Sequence, residues 1–315
     1  MSDFSQNCQF ASSLTWLVTA LTADCSRHEH HVVPNRRLLS LVAVLVIVAA
    51  GCDFPNFVPP GQSPARYRDP IFNAVTVTNN VTYGSAVNLE NQMVTLQLDV
   101  YQPTGDTVTN RPAIVWVHGG SFCCGNRTSP EIVDEATTFA KQGYVNVSID
   151  YRLESPGCSG TMSNCIGAIQ EAAADAQTAV RYLRTNSATY GVDPNRIAIG
   201  GSSAGAITAL NVGYSSSEDP SASVRAAVSL SGAQLVVGTI SSGDAPALDF
   251  HCTTDPLVSY QWAVNTITAA KAYTDAVLES WDETCHVPYT EHRQQILDQS
   301  TNFLWWEMDL AHAAT

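Results

Sequence analysis

The chain reads as an α/β protein with a mostly parallel central sheet of about eight strands flanked by helices. Three observations carry this reading. Short apolar runs alternate with segments whose apolar residues recur at three- and four-residue spacing, the mark of strands joined by helices. One such run, Ile197–Ile199, passes through Gly200, Gly201, Ser202 and Ser203 directly into a small-residue helix start at Ala204. A candidate acid, Asp255, and a candidate base, His286, follow that serine, each just past a predicted strand. Open α/β sheets place their chemistry at such carboxyl ends.

In chain order, Val75–Tyr83 and Val94–Tyr101 alternate like an antiparallel hairpin. Pro112–Val117 is continuously apolar, as a buried parallel strand should be. Pro130–Gly143 predicts a helix ending on glycine, and Tyr144–Asp150 the next strand. Ile166, Ile169, Ala173, Ala176, Val180 and Leu183 mark a long helix. Val224–Leu230, Ala247–Phe250 and Ala276–Trp281 complete the strands. Ile296, Leu297, Phe303, Leu304 and Met308 lie on a closing helix.

The residues upstream of Ile71 read differently. Residues 1–51 divide into an extension without periodicity and an export-type leader. The extension carries Cys8, Cys25, His28, His30 and His31, but no ligand spacing recurs, and Val32 or Val33 could serve as the true start. Arg36 and Arg37 then precede the apolar run Leu38–Ala50, which is shorter than the ~20 residues of a membrane-spanning helix and suits a signal peptide. Ala49-Ala50-Gly51-Cys52 resembles a bacterial lipobox, with alanine where leucine is commoner. The resemblance implies cleavage before Cys52, lipid on its sulfur, and attachment to a bacterial membrane outside the cytoplasm. Residues 52–70, with Pro55, Pro59, Pro60 and Pro64, read as an extended tether, leaving 71–315 as one catalytic domain.

Composition narrows the function classes. At 45% hydrophobic residues the chain can bury a large core. Its net charge of −14 excludes nucleic acid as the expected partner, because such proteins carry basic stripes. Cys123, Cys124, Cys158, Cys165, Cys252 and Cys285 fall in the domain without any C-x-x-C spacing, so no metal site is expected and disulfides are favoured.

Gly201, Ser203 and Gly205 satisfy G-x-S-x-G, in which the serine sits on a strained strand-to-helix turn. Glycines two places either side leave room for that turn. The Ala204 N–H, at the helix start, then points at charge developing on a carbonyl oxygen. His118-Gly119-Gly120-Ser121-Phe122 follows the Pro112–Val117 strand, and its small residues expose further backbone donors for an oxyanion hole. His118 is read as structural. His286 would take the Ser203 proton, and Asp255 would fix its tautomer. Competing bases are His292 and His312; the competing acid, Asp244, precedes its strand.

HGGSF, the DYRL of Asp150–Leu153, DPNRIAIGGSSAG, HCTTDPLV and CHVPY together resemble bacterial carboxylesterases of the α/β-hydrolase superfamily, over residues 85–312. That resemblance implies a Ser203, Asp255, His286 triad, oxyanion donors at Gly119, Gly120 and Ala204, and an ester substrate with no cofactor. The short Ser203–Asp255 interval leaves no space for a large cap. Short-acyl or accessible esters are therefore the expected substrates, against the alternatives of amide or peptide hydrolysis and of a non-catalytic surface lipoprotein. Relatives often carry glycine where Cys252 and Cys285 stand. With the acid and base loops brought together, these two cysteines are expected to pair; Cys158 and Cys165 are the next pair. Cys123 and Cys124 remain either free or bridged to each other.

Overall fold

The computed structural model describes residues 58–313, apart from 60 and 237 and the side chain of His312. The extension, the leader and Cys52 lie outside the described residues. Among those described, no helix is long and apolar enough to cross a membrane.

The domain opens with strands β1 (Val75–Val87) and β2 (Met93–Pro103), then β3 (Arg111–Val117), helix α1 (Pro130–Gln142), β4 (Val145–Ile149) and α2 (Met162–Thr185). A short turn of helix, α3 (Ser187–Tyr190), leads to β5 (Val192–Ser202), α4 (Ala204–Gly213) and β6 (Ala227–Leu230). The chain closes with β7 (Ala247–Cys252), α5 (Tyr260–Ala270), β8 (Ala276–Trp281) and α6 (Tyr289–Glu307). All eight strands form one sheet in the order β1-β2-β4-β3-β5-β6-β7-β8. The β1–β2 and β2–β4 pairs are antiparallel, and every other pair is parallel.

Every residue of β3, β4, β6 and β7 is buried, as strands covered on both faces are, and Pro112–Val117 of β3 accordingly reads as an unbroken apolar run. Helix α1 begins on Pro130, whose missing N–H costs nothing at that position. It ends where Gly143, at φ 110°, turns left-handed and donates to the Ala140 carbonyl. In α2 the residues Ala168, Ala172, Ala176, Ala179 and Leu183 form the buried stripe.

Two features depart from the sequence reading. The second half of the stretch read as a tether is docked on the domain. Tyr67 is fully buried, its N–H donates to the Gln142 carbonyl at 2.7 Å, and its carbonyl accepts from the Tyr144 hydroxyl at 3.1 Å. Arg66 beside it pairs with the buried Asp106 carboxylate. Proline content signalled extension, but one aromatic and one arginine with a long-range acid were enough to bind the segment down. Helix α5 was not read from the sequence at all. Val264, Thr266, Ile267 and Thr268 lower its helix propensity, although its buried residues Ala263, Thr266, Ile267 and Ala270 keep helical spacing.

Candidate active site

The turn from β5 into α4 places Ser203 at φ 53° and ψ −116°, a conformation that costs a non-glycine residue of order 1–3 kcal/mol. The surroundings hold it there. The Ser203 N–H donates to the Leu230 carbonyl at 2.8 Å, and its carbonyl starts α4 by accepting from Ile207 at 3.0 Å. A Cβ on Gly205 would fall on the Val117 carbonyl, and one on Gly201 would approach that same oxygen to 2.5 Å. The flanking glycines are thus required mainly because the end of β3 passes so close.

Ser202 and Ser203 have opposite fates. The buried Ser202 hydroxyl donates to Glu131 at 3.0 Å. Ser203 Oγ lies 2.7 Å from His286 Nε2 instead. On the other side of the ring, His286 Nδ1 is 2.8 Å from Asp255 Oδ2 and 3.0 Å from Oδ1. The backbone amides of Leu257 and Val258 donate to Asp255 Oδ1 at 2.8 and 3.0 Å. Burial would raise the Asp255 carboxyl, but the hydrogen bonds from His286 and these two amides outweigh it and hold the group below the ordinary carboxylate range. Ser231, at φ 62°, accepts from the Val287 amide and fixes the base loop.

Gly119 lies against the serine: a Cβ on it would stand 3.2 Å from Ser203 Cβ. Among the described residues, neither the Gly119 nor the Gly120 amide donates to a protein acceptor, and Ala204, first in its helix, has no carbonyl one turn back to bond. Three donors are therefore available around Ser203. His118 is buried, stacked on Tyr151 at 4.4 Å, with Nδ1 2.6 Å from the Gly119 carbonyl. Burial lowers its pKa, so the neutral ring orients the loop as a hydrogen-bond donor. Tyr151 and Arg152 of the DYRL stretch serve the same loop. The Tyr151 hydroxyl donates to the His118 carbonyl at 3.1 Å, and Arg152 anchors the segment on Asp175 of α2 at 2.7 Å.

The competitors go elsewhere. His292 stacks on Trp281 at 4.1 Å and reaches Glu283 at 3.1 Å. Asp244 caps a loop by accepting from the Ser216 and Ser241 amides. Cys252 is bonded to Cys285 across a Cα separation of 5.6 Å, and Cys158 to Cys165 across 4.2 Å. Cys123 and Cys124 are free thiols. Cys252, Glu283 and Cys285 are close enough to surround a metal ion, but two of those donors are spent in the disulfide.

One group of residues escaped the sequence reading. Behind Asp255, the fully buried His251 has Nε2 3.0 Å from the Val258 carbonyl and 3.6 Å from Asp255 Oδ2. Its Nδ1 is 3.3 Å from Asp249, whose other oxygen accepts from Ser229 Oγ. Burial raises the Asp249 carboxyl, and it works against the His251 imidazolium, which Asp249 nevertheless holds above the ordinary histidine value. Each group therefore holds its proton to higher pH than it would free in water. The signal was present: Asp249 and His251 interrupt an apolar strand two residues apart, which puts both on one face.

A family model described as BD-FAE matches residues 98–233, from β2 to the loop after β6. Among solved structures, a thermophilic esterase of the planctomycete Thermogutta terrifontis superposes with a TM-score of 0.59 at 22% identity, covering 77% of this chain and 95% of that one. Its sarin-phosphonylated form gives 0.60. The fold is that of an α/β-hydrolase. By sequence, the chain is similar to phenmedipham hydrolase of Pseudarthrobacter oxydans, 32% identical over 161 residues, which cover 50% of this chain and 27% of that protein. The fumonisin B1 esterase of Sphingopyxis macrogoltabida is 28% identical over 160 residues, with 49% and 29% covered. The chlorogenic acid esterase of Aspergillus niger is 26% identical over 172 residues, with 52% and 32% covered. The chain spans about a third or less of these relatives' own length.

Proposed function

We propose that this chain is a serine carboxylic-ester hydrolase acting through an acyl-enzyme on Ser203. One observation carries the reading: a serine on a strained strand-to-helix turn, 2.7 Å from a histidine whose other nitrogen is 2.8 Å from a buried carboxylate. In the first step His286 Nε2 takes the Ser203 proton as Oγ attacks the ester carbonyl. The Gly119, Gly120 and Ala204 amides receive the charge that develops on its oxygen. His286 then returns the proton to the leaving alcohol. Water repeats the sequence on the acyl-enzyme, and Asp255 holds the tautomer and stabilises the imidazolium throughout. Relatives named as esterases support an ester substrate, and the absence of a long insertion between Ser203 and Asp255 favours short-acyl or otherwise accessible ones. The structural neighbour phosphonylated by sarin supports a nucleophile open to small electrophiles.

The deciding experiment is a series of p-nitrophenyl esters of graded acyl length, with Ser203→Ala as control. Hydrolysis that falls with chain length and vanishes in the variant supports the proposal; hydrolysis that survives the variant overturns it. We propose further that the mature protein is held to a bacterial membrane by lipid on Cys52, a reading that rests on the leader sequence alone. Mass spectrometry of the mature N-terminus tests it, and an unmodified Cys52 would reject it.

A further inference from the structure

The oxyanion loop carries a feature that ester hydrolysis does not use. Cys123 and Cys124 are adjacent in sequence, both unbridged, with their sulfurs 2.7 Å apart and Cys124 exposed to solvent. They are built into the backbone that presents the Gly119 and Gly120 amides. The Gly120 carbonyl accepts from the Cys123 amide at 3.0 Å, the Cys124 amide at 3.1 Å and Cys123 Sγ at 3.4 Å. A Cβ on Gly120 would land on the Cys124 carbonyl, and one on Gly125 would lie 2.6 Å from the Gly119 carbonyl. Backbone therefore rests directly on backbone, with no side chain between thiol pair and donors to absorb a shift.

We propose that Cys123 and Cys124 form a reversible modification site, closed to a vicinal disulfide by exchange with a small-molecule disulfide, and that closure slows ester hydrolysis by displacing the Gly120 donor. The rate effect rests on the esterase reading; the thiol chemistry does not. The exposed Cys124 thiolate attacks one sulfur of the reagent and releases the first thiol. Cys123, once deprotonated, attacks Cys124 Sγ and releases the second. Two protons and two electrons leave the protein, and the reagent becomes two thiols.

Covalent geometry makes this bridge unlike the other two. Neighbouring Cα atoms across a trans peptide are ~3.8 Å apart, below the roughly 4.4–6.8 Å that most disulfides span. The ring must include the Cys123–Cys124 peptide and distort it, and both of its cysteines donate their amides to Gly120. Strained or exposed bridges are the labile ones, whereas well-placed bridges resist reduction. Cys252 and Cys285, 5.6 Å apart and with Cys252 buried, belong to the second kind.

The test uses the purified chain in glutathione buffers of graded oxidised-to-reduced ratio. Peptide mass spectrometry follows the Cys123–Cys124 peptide while p-nitrophenyl acetate hydrolysis gives kcat and KM. The expected result is loss of two hydrogens from that peptide as the ratio rises, with Cys158–Cys165 and Cys252–Cys285 intact throughout. In the same window kcat should fall about tenfold or more, within the roughly 10²–10³ cost of losing a donor outright, with a smaller change in KM. Reduced glutathione should restore it. The double variant Cys123→Ser, Cys124→Ser should show no dependence of kcat on the buffer ratio. Thiols that remain free or merely glutathione-capped overturn the proposal, as does a closed bridge with unchanged kcat or an equal response in the double variant. A chain with no ester hydrolysis would sink the esterase reading and the rate effect with it, while the peptide mass would still report closure.

Discussion

The two sides of Ser203, the proposed nucleophile, are held by different means. On the acid–base side, a covalent bond joins the end of β7, at Cys252, to the loop after β8, at Cys285. Backbone bonds from Thr253 to Trp281 and from Thr254 to Glu283 add to it. On the oxyanion side, Gly120, Ser121, Phe122 and Gly125 all have positive φ. Their loop is tied by backbone bonds from Cys158 to Ser121 and from Glu154 to Phe122. One side is kept in register by a cross-link, the other by conformations few residues adopt. Breaking the cross-link should therefore show mainly as lost stability, and disturbing the strained loop mainly as lost rate.

The largest effect should come from the residue both sides serve. Ser203→Ala is expected to remove about 10⁶ of the rate with the fold intact, whereas Ser202→Ala, which loses only a bond to Glu131, should retain substantial activity. Steady-state kinetics with circular dichroism checks both, and the reverse ranking would mean the wrong serine is assigned. Next comes the oxyanion side. Gly120→Ala forces a Cβ onto the Cys124 carbonyl at φ 121°, and should cost roughly 10²–10³ in kcat through the displaced donor. An unchanged kcat would show that Gly120 donates nothing.

On the acid side, His251→Gln keeps a donor for the Val258 carbonyl but loses the ring nitrogen that faces Asp249. A loss of about 10- to 10²-fold in kcat is expected, the scale of a small misplacement of the acid. The smaller effects are thermodynamic. Replacing Cys252 and Cys285 by serine should cost about 3–4 kcal/mol in denaturant unfolding, from a bridge closing 33 residues, with a lesser change in kcat. A variant as stable as the parent would break the contrast between the two sides.

Proton linkage gives the last test. Asp249 raises His251, so the folded chain keeps a proton that the unfolded chain releases above the ordinary histidine pKa of ~6.5. Stability from this pair is full below that pH and is lost as pH rises through the folded value, at up to about 1.4 kcal/mol per pH unit. Asp249→Asn removes the partner that raises His251. Its urea-unfolding free energy should fall less steeply than the parent's on the alkaline side, and equal slopes would argue that Asp249 does not raise His251.

Much of this site was legible because its determinants are local. The strand, the turn and the helix around Ser203 follow one another in sequence, and their glycines are adjacent to the feature they permit. Chain order then selected Asp255 and His286. What stayed hidden depends on partners far away in sequence. Nothing near Tyr67 announces Gln142 and Tyr144, and nothing near Ser202 announces Glu131. The Asp249–His251 pair was half visible through strand alternation, but its meaning depends on Val258 folding back over the ring.

The strand order also orders the protein's birth. From β5 onward each new strand adds to the free edge left by the one before, through β6, β7 and β8 in turn. Synthesis delivers them in the same order, and Ser203 leaves the ribosome 83 residues ahead of His286. The Ser203 turn, in mid-sheet, has thus been made while the edge that will carry the carboxylate and imidazole is still being synthesised. On the proposed reading, the nascent chain holds a serine with no base until the loop after β8 emerges, so hydrolytic competence waits for the last strand of the sheet.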